Sequence, residues 1–284
     1  MTSAAAPPAR TRAGHHAGLA DVPSVVPDLV ADLTTGPMAR DQALDLLRRQ
    51  LGRVQGRVQD AFETHELSGL AAARWLAALM DGLVQAIHAY AVAMVPARTP
   101  GEVAERPFAL VATGGYGRGV LAPYSDIDLL FLTDGAAGPR TERMVEFVLY
   151  LLWDLGLKVG HATRSVRDCM EEAAGDTTVL TALVDARFLQ GERPLFGRFQ
   201  ESFDRARKDH GLGPFLAAKR AERTARHQRY GDSPYLVEPH IKEGRGGLRD
   251  LQTLYWVARY AFGTQRMPEL VGPDSPGGGL LSEH

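Results

Sequence analysis

Two aspartates, Asp126 and Asp128, stand one residue apart at the head of an apolar run, shortly after a Gly114-Gly115 pair. A strand alternates its side chains, so the two carboxylates share one face, with Cα atoms roughly 6–7 Å apart. Carboxylates placed this way can converge on two divalent ions about 3.5–4 Å apart, the arrangement that clamps a phosphoryl or nucleotidyl group during in-line displacement. Ile127 and Leu129 point the other way, into a core. A charged pair leading straight into Leu129-Leu-Phe-Leu132 is costly unless something occupies it.

The glycine pair suits the same chemistry. A Gly-Gly turn after a strand lets backbone N–H groups approach a triphosphate that side chains would block. A short helix beginning near Tyr116-Gly117 would add the positive end of its dipole. Gly114, Gly115, Arg118 and Ser125 are therefore candidate nucleotide contacts. The run Gly114-Gly-Tyr-Gly-Arg-Gly119 fits no register of the dinucleotide-binding fingerprint, and no Gly-Lys-Ser/Thr follows it, which excludes a P-loop.

A second cluster begins at Glu238-Pro-His-Ile-Lys-Glu-Gly-Arg-Gly-Gly-Leu-Arg-Asp250. A glycine-rich turn feeds a helix N-terminus, with Lys242, Arg245 and Arg249 beside it. That is an anion or nucleotide contact, or else a capped helix start with solvated charges. Upstream, Lys219, Arg223 and Arg226 recur at helical spacing, and a solvated face is the default reading of such a stripe. Enzymes with paired carboxylates mostly use a third on a neighbouring strand. The strand expected over 157–163 has none, although Asp154 and Asp168 flank it. His161 within it could accept a proton from an attacking hydroxyl, or simply be hydrogen-bonded in place. The general base stays unassigned.

These residues need elements to position them. Leu44, Leu47, Leu51, Val54 and Val58 recur at spacings of three and four, as do Leu76, Leu79, Leu83, Ile87, Tyr90 and Met94; with a break at Ser68-Gly69 they predict a helical hairpin. Strands are expected over 108–113, 127–133 and 157–163, with a helix over 141–155. From 165 to about 230 the pattern reads as helical throughout, in pieces over 177–190, 193–209 and 215–230. Leu248, Leu251, Tyr255, Ala258 and Phe262 mark a last helix. The expected division is a disordered tail over 1–37, a helical segment over 38–96, a core over 97–175 and a helical segment over 176–284. The last segment ends without a closing element and reads as part of something longer. The fold class is α+β.

Composition narrows the partners. At 284 residues with 45% hydrophobic and 23% charged residues, the chain reads as soluble and globular. A formal net charge of -2 argues against a general nucleic-acid binder. One cysteine, Cys169, precludes an intrachain disulfide or a cysteine-rich zinc site and fits a cytoplasmic location. The most apolar region, 70–95, is interrupted by Arg74, Asp81 and His88, so no membrane span is expected.

The stretch 114–132 resembles the catalytic motif of the DNA polymerase β-like nucleotidyltransferases. The fuller resemblance is to the bacterial PII uridylyltransferase/uridylyl-removing (GlnD) family. It is carried by Gly114-Gly-Tyr-Gly-Arg-Gly119 through Ser125-Asp-Ile-Asp128, by Leu152-Trp-Asp-Leu-Gly-Leu-Lys-Val-Gly-His161, and by the block from Arg229 to Asp250. It covers about residues 40–284, with His240 where Asn is usual and Arg245 where Pro is usual. The resemblance implies a polymerase β-like core, UTP as donor, a tyrosine of the PII signalling protein as acceptor, and Mg²⁺ or Mn²⁺ held by Asp126 and Asp128. Family members also carry an HD domain that removes UMP and ACT domains that sense glutamine, and neither is visible in this sequence. Adenylyl transfer by a related enzyme and a non-catalytic nucleotide-binding module stay open.

Overall fold

A computed structural model describes residues 26–263, apart from 37, 104, 106–107, 231–237 and 239. Most of the tail expected over 1–37 and the end of the segment expected over 176–284 lie outside the described residues. The first described element already departs from expectation. Val26–Thr34 is a helix, α1, because Leu29 and Leu33 stand one turn apart and are both buried. The helical hairpin follows as α2 (Arg40–Glu63) and α3 (Gly69–Met94), and the Ser68 hydroxyl caps α3 by accepting from Ala71 N–H at 3.3 Å. A short turn of helix, α4 (Pro100–Val103), leads to β1 (Ala109–Thr113), α5 (Gly114–Gly117), β2 (Ile127–Thr133), α6 (Pro139–Asp154) and β3 (Val159–Ser165).

The remaining elements are α7 (Val166–Gly175), α8 (Thr177–Val184), β4 (Arg187–Gly191), α9 (Arg193–His210), α10 (Leu212–Arg229) and α11 (Leu248–Phe262). β4 corrects the helix expected over 177–190. Helix α8 stops at Val184, and the chain then pairs antiparallel with β1, Val111 opposite Phe188 and Ala112 opposite Arg187. A short apolar run has no period that separates helix from strand, and here the free edge of β1 decides it. The sheet thus takes a strand from beyond residue 175.

The sheet order is β3-β2-β1-β4, with β1 antiparallel to both neighbours and β2 parallel to β3. Helices cover both faces, which is why β1 is buried at every position. Leu110, Ala112, Ile127, Leu129 and Phe131 point to the face packed by α1, α2, α3 and α6. Ala109, Val111, Leu130 and Leu132 point to the other, packed by α7 to α11. Each large apolar side chain so buried contributes about 1.5–3 kcal/mol. Asp128 has the parity of Leu130 and Leu132, so its carboxylate opens toward the α7 to α11 face, while Asp126 stands just before the strand.

Among the described residues α3 is long and apolar enough to cross a membrane, with mean hydropathy 1.4 over its best window; 61% of that window is buried inside the protein. Most of its apolar residues form core, though Leu70, Val92 and Met94 are exposed, and its Asp81 pairs with Arg187 of β4 at 2.6 Å. In helix α11 the leucines of the periodic stripe do not face the core. The buried residues are Trp256 and Tyr260, whereas Leu248, Leu251 and Leu254 are at least half exposed.

Candidate active site

β1 runs directly into α5 at Gly114, whose φ of +55° is the left-handed region that L side chains avoid. A Cβ there would lie 2.8 Å from Asp128 Oδ2. On the opposite side of the same carboxylate, β3 places Gly160 level with Asp128, and a Cβ at 160 would overlap Asp128 Oδ1. The carboxylate is therefore cradled between two glycines from the two strands that flank β2. The position on β3 level with Asp128 therefore has no room for a third carboxylate while Asp128 occupies the space. Asp126 is exposed at the mouth, as are Ser125 and Tyr124. Tyr124 has a positive φ of 62° and stands 96% exposed.

Burial and the charge of Asp126 push the Asp128 carboxyl above its ordinary range, with Arg118 pulling against them. Two carboxylates with so little compensating charge form a site that a divalent cation fits. Among the described residues no group of three His, Cys, Asp or Glu could hold a metal ion.

His161 is not available as the base beside this pair. It lies level with Leu129, so it belongs to the other face of the sheet, where its ring meets Trp153 edge-on at 5.9 Å. The alternation that turns Asp128 to one face turns His161 to the other.

Arg118 follows α5 and turns its guanidinium toward Asp185, with Nη1 donating to Oδ2 at 2.6 Å and reaching the Gly114 carbonyl oxygen at 3.5 Å. It also lies over the Trp256 indole, 5.5 Å from the ring centre. Arg249 approaches the same indole at 5.6 Å and Lys219 at 5.1 Å. The structure thus gathers Arg118 and Arg249, residues from two motifs far apart in sequence, around one aromatic ring. Lys242 sits exposed in the turn, its backbone oxygen accepting from Arg249 N–H at 2.9 Å.

The stripe on α10 is not a solvated face. Lys219 is 2% exposed and paired with Glu222 at 2.6 Å, and Arg226 is buried against Asp250, while Arg223 points outward. Phe215, one turn before Lys219 and also buried, marks that face. Asp250 is shared by Arg226, by His227 Nε2 at 3.0 Å and by Gly246 N–H at 2.9 Å, which ties the glycine turn to α10. His240, in place of the usual Asn, still serves the turn, since its Nδ1 accepts from Glu243 N–H at 3.1 Å.

Asp185 escaped the reading of the sequence. It is fully buried and receives Trp256 Nε1 at 2.8 Å and Arg259 Nη1 at 3.4 Å as well as Arg118. Burial raises its pKa and the three donors oppose the rise. The available signal was an aspartate inside Leu183-Val-Asp-Ala-Arg-Phe188, a place where a charge must find partners.

Comparison with known proteins agrees with this geometry. Residues 101–172 match the nucleotidyltransferase domain model, and residues 214–275 match the GlnD PII-uridylyltransferase model. A bifunctional uridylyltransferase/uridylyl-removing enzyme of Gluconobacter oxydans is 49% identical over 228 residues, 80% of this chain and 23% of that protein. Its counterpart in Azospirillum brasilense is 47% identical over 242 residues, 84% of this chain and 25% of that protein. The chain spans about a quarter of the length of these relatives. With its acid pair and glycine turn inside the first match and Arg249 and Trp256 inside the second, the chain carries a nucleotidyltransferase domain and belongs to the GlnD PII-uridylyltransferase family.

Proposed function

We propose that the chain transfers UMP from UTP to a tyrosine hydroxyl of the PII nitrogen-signalling protein in the cytoplasm, releasing pyrophosphate. The observation that carries this reading is the Asp128 carboxylate cradled by Gly114 and Gly160 beside Asp126, in a chain whose later segment matches the uridylyltransferase family. The proposed division is a helical segment over 38–96, a nucleotidyltransferase core over 97–175 and a helical segment from 176 that also lends β4.

Asp126 and Asp128 would hold Mg²⁺ or Mn²⁺, which when bound neutralises phosphate charge and lowers the pKa of the attacking hydroxyl. The N–H groups of Gly114 and Gly115, with Ser125, hold the triphosphate against the end of β1. Arg118, Lys242 and Arg249 supply positive charge toward the phosphates that leave. The acceptor hydroxyl gives up its proton to solvent and its oxygen bonds to the α-phosphorus, while the bond from that phosphorus to the bridging oxygen breaks, so pyrophosphate departs with the electron pair. The acceptor protein brings the nucleophile, and the enzyme's own contribution is positioning and electrostatics.

The test is to incubate the protein with PII protein, Mg²⁺ and each of the four nucleoside triphosphates in turn. A UMP mass shift on a PII tyrosine is expected with UTP. An AMP shift of equal or greater yield, or no shift with UTP, would overturn the reading.

A further inference from the structure

Asp185 lies between the two spans that match family models, yet it touches both of them. Arg118 comes from the first, Trp256 and Arg259 from the second, and one carboxylate receives all three. The main chain of the same residue makes a second contact: its carbonyl oxygen packs against Gly117 so closely that a Cβ at 117 would overlap it. Asp185 therefore holds α5 twice, by charge through Arg118 and by close approach through Gly117.

A fully buried carboxylate is a poor way to add stability, because apolar residues of similar volume often do as well. What it supplies here is direction. The Arg118 guanidinium stands close enough to Asp128 for its charge to act there. Released from Asp185, that guanidinium could swing onto the acid pair and neutralise it. Held by Asp185, with the Trp256 indole 5.5 Å from its Cζ, it keeps donors free beside the Gly114 turn.

We propose that Asp185 is a positioning residue for nucleotide transfer: it fixes Arg118 beside the glycine turn and away from Asp126 and Asp128, and it locks α11 to that arrangement. The proposal rests on the reading of the acid pair as the site of nucleotidyl transfer. Asp185 touches no reacting atom, and its effect is carried by Arg118. The phosphates then meet a guanidinium already oriented, which cuts the ordering that binding would otherwise require.

The test compares wild type, Asp185→Asn, Arg118→Met and the double variant, measuring UMP transfer kinetics and Mg²⁺-dependent UTP binding by calorimetry. Asp185→Asn keeps an oxygen for Trp256 Nε1 but loses the charge that holds Arg118. It is expected to raise the UTP KM and Kd about tenfold, as for loss of a charged hydrogen bond, with a smaller change in kcat. In the Arg118→Met background the same substitution is expected to add less than about twofold, the mark of coupled residues. Should Asp185→Asn not fold, Trp256→Phe removes one donor while keeping the ring, and the same rise in KM is expected at reduced size. An unchanged KM in Asp185→Asn (in Trp256→Phe if that variant is needed), or a full additive loss in the double variant, would overturn the proposal while wild-type transfer leaves the functional reading intact. A wild type that binds UTP without transferring UMP would instead sink the functional reading, and this proposal with it.

Discussion

The two faces of the sheet are built from the same strands and obey different rules. The face covered by α1, α2, α3 and α6 is apolar almost throughout, and its buried imidazole, His88, is held neutral by burial, with its pKa lowered to about 4. The face covered by α7 to α11 carries Asp128, Asp185, Lys219 and Arg226, all at least partly buried and, Asp128 apart, all ion-paired. Alternation along β2 assigns successive residues to one face or the other. A single strand can thus anchor a dry core with Ile127, Leu129 and Phe131 while presenting Asp128 to a charged cleft. One face holds the fold and the other spends part of its stability on orientation.

Separating the two faces by mutation is the way to test that division. The largest effect is expected from Asp128→Asn on the charged face, which should lower UMP transfer by about 10³-fold or more in single-turnover assays. Because burial already disfavours the charged form, the variant should melt at or above the wild-type temperature. A variant that lost stability along with activity would mean that Asp128 is part of the scaffold.

Phe131→Ala on the apolar face should do the opposite. It is expected to cost about 3–5 kcal/mol in denaturant unfolding, with kcat/KM of the folded fraction within a few-fold of wild type. Gly160→Ala tests the cradle: the added Cβ displaces the Asp128 carboxylate, and transfer should fall about 10–100-fold as for other disturbances of a metal ligand's surroundings. Retained activity would show that Asp128 has another place to go.

The smallest effect concerns protons. His88 has a folded pKa of about 4 against an ordinary 6.5, so below 6.5 the unfolded chain binds the proton more readily than the native protein. Its share of stability is complete above pH 6.5 and is lost as pH falls toward 4. Melting temperatures recorded across that window should decline for wild type and decline less for His88→Gln.

The apolar face was the more legible of the two in the sequence. Spacings of three and four in α2 and α3, and the continuous run in β2, report burial directly, since a core needs only the right period. The Asp126/Asp128 pair and the Gly114 turn were also legible, because strand alternation and glycine have fixed geometric meanings. What stayed hidden depended on partners distant in the chain. Lys219 and Arg226 looked like solvent-facing charges because Glu222 alone is near in sequence, while Trp256 and Asp250 are not. Asp185 is hidden inside an apolar run, and with it the strand β4 that it introduces. The spacing of Leu248 and Leu251 marks a helix but not its orientation, which Trp256 and Asp185 set by turning the other side of α11 inward.

The ion pair between Asp81 and Arg187 bears on how small a working piece of this protein can be. Arg187 donates to both Asp81 oxygens, at 2.6 and 3.0 Å, and also to the carbonyl oxygens of Tyr116 and Gly117, each at 3.2 Å. The glycine turn that would hold the phosphates is thus braced from behind by a side chain whose own counter-charge comes from α3. A piece trimmed to begin at β1 would keep every residue of the acid pair and both glycines, and would still lose the support that sets the angle of α5. The shortest catalytic unit reaches back into the N-terminal hairpin.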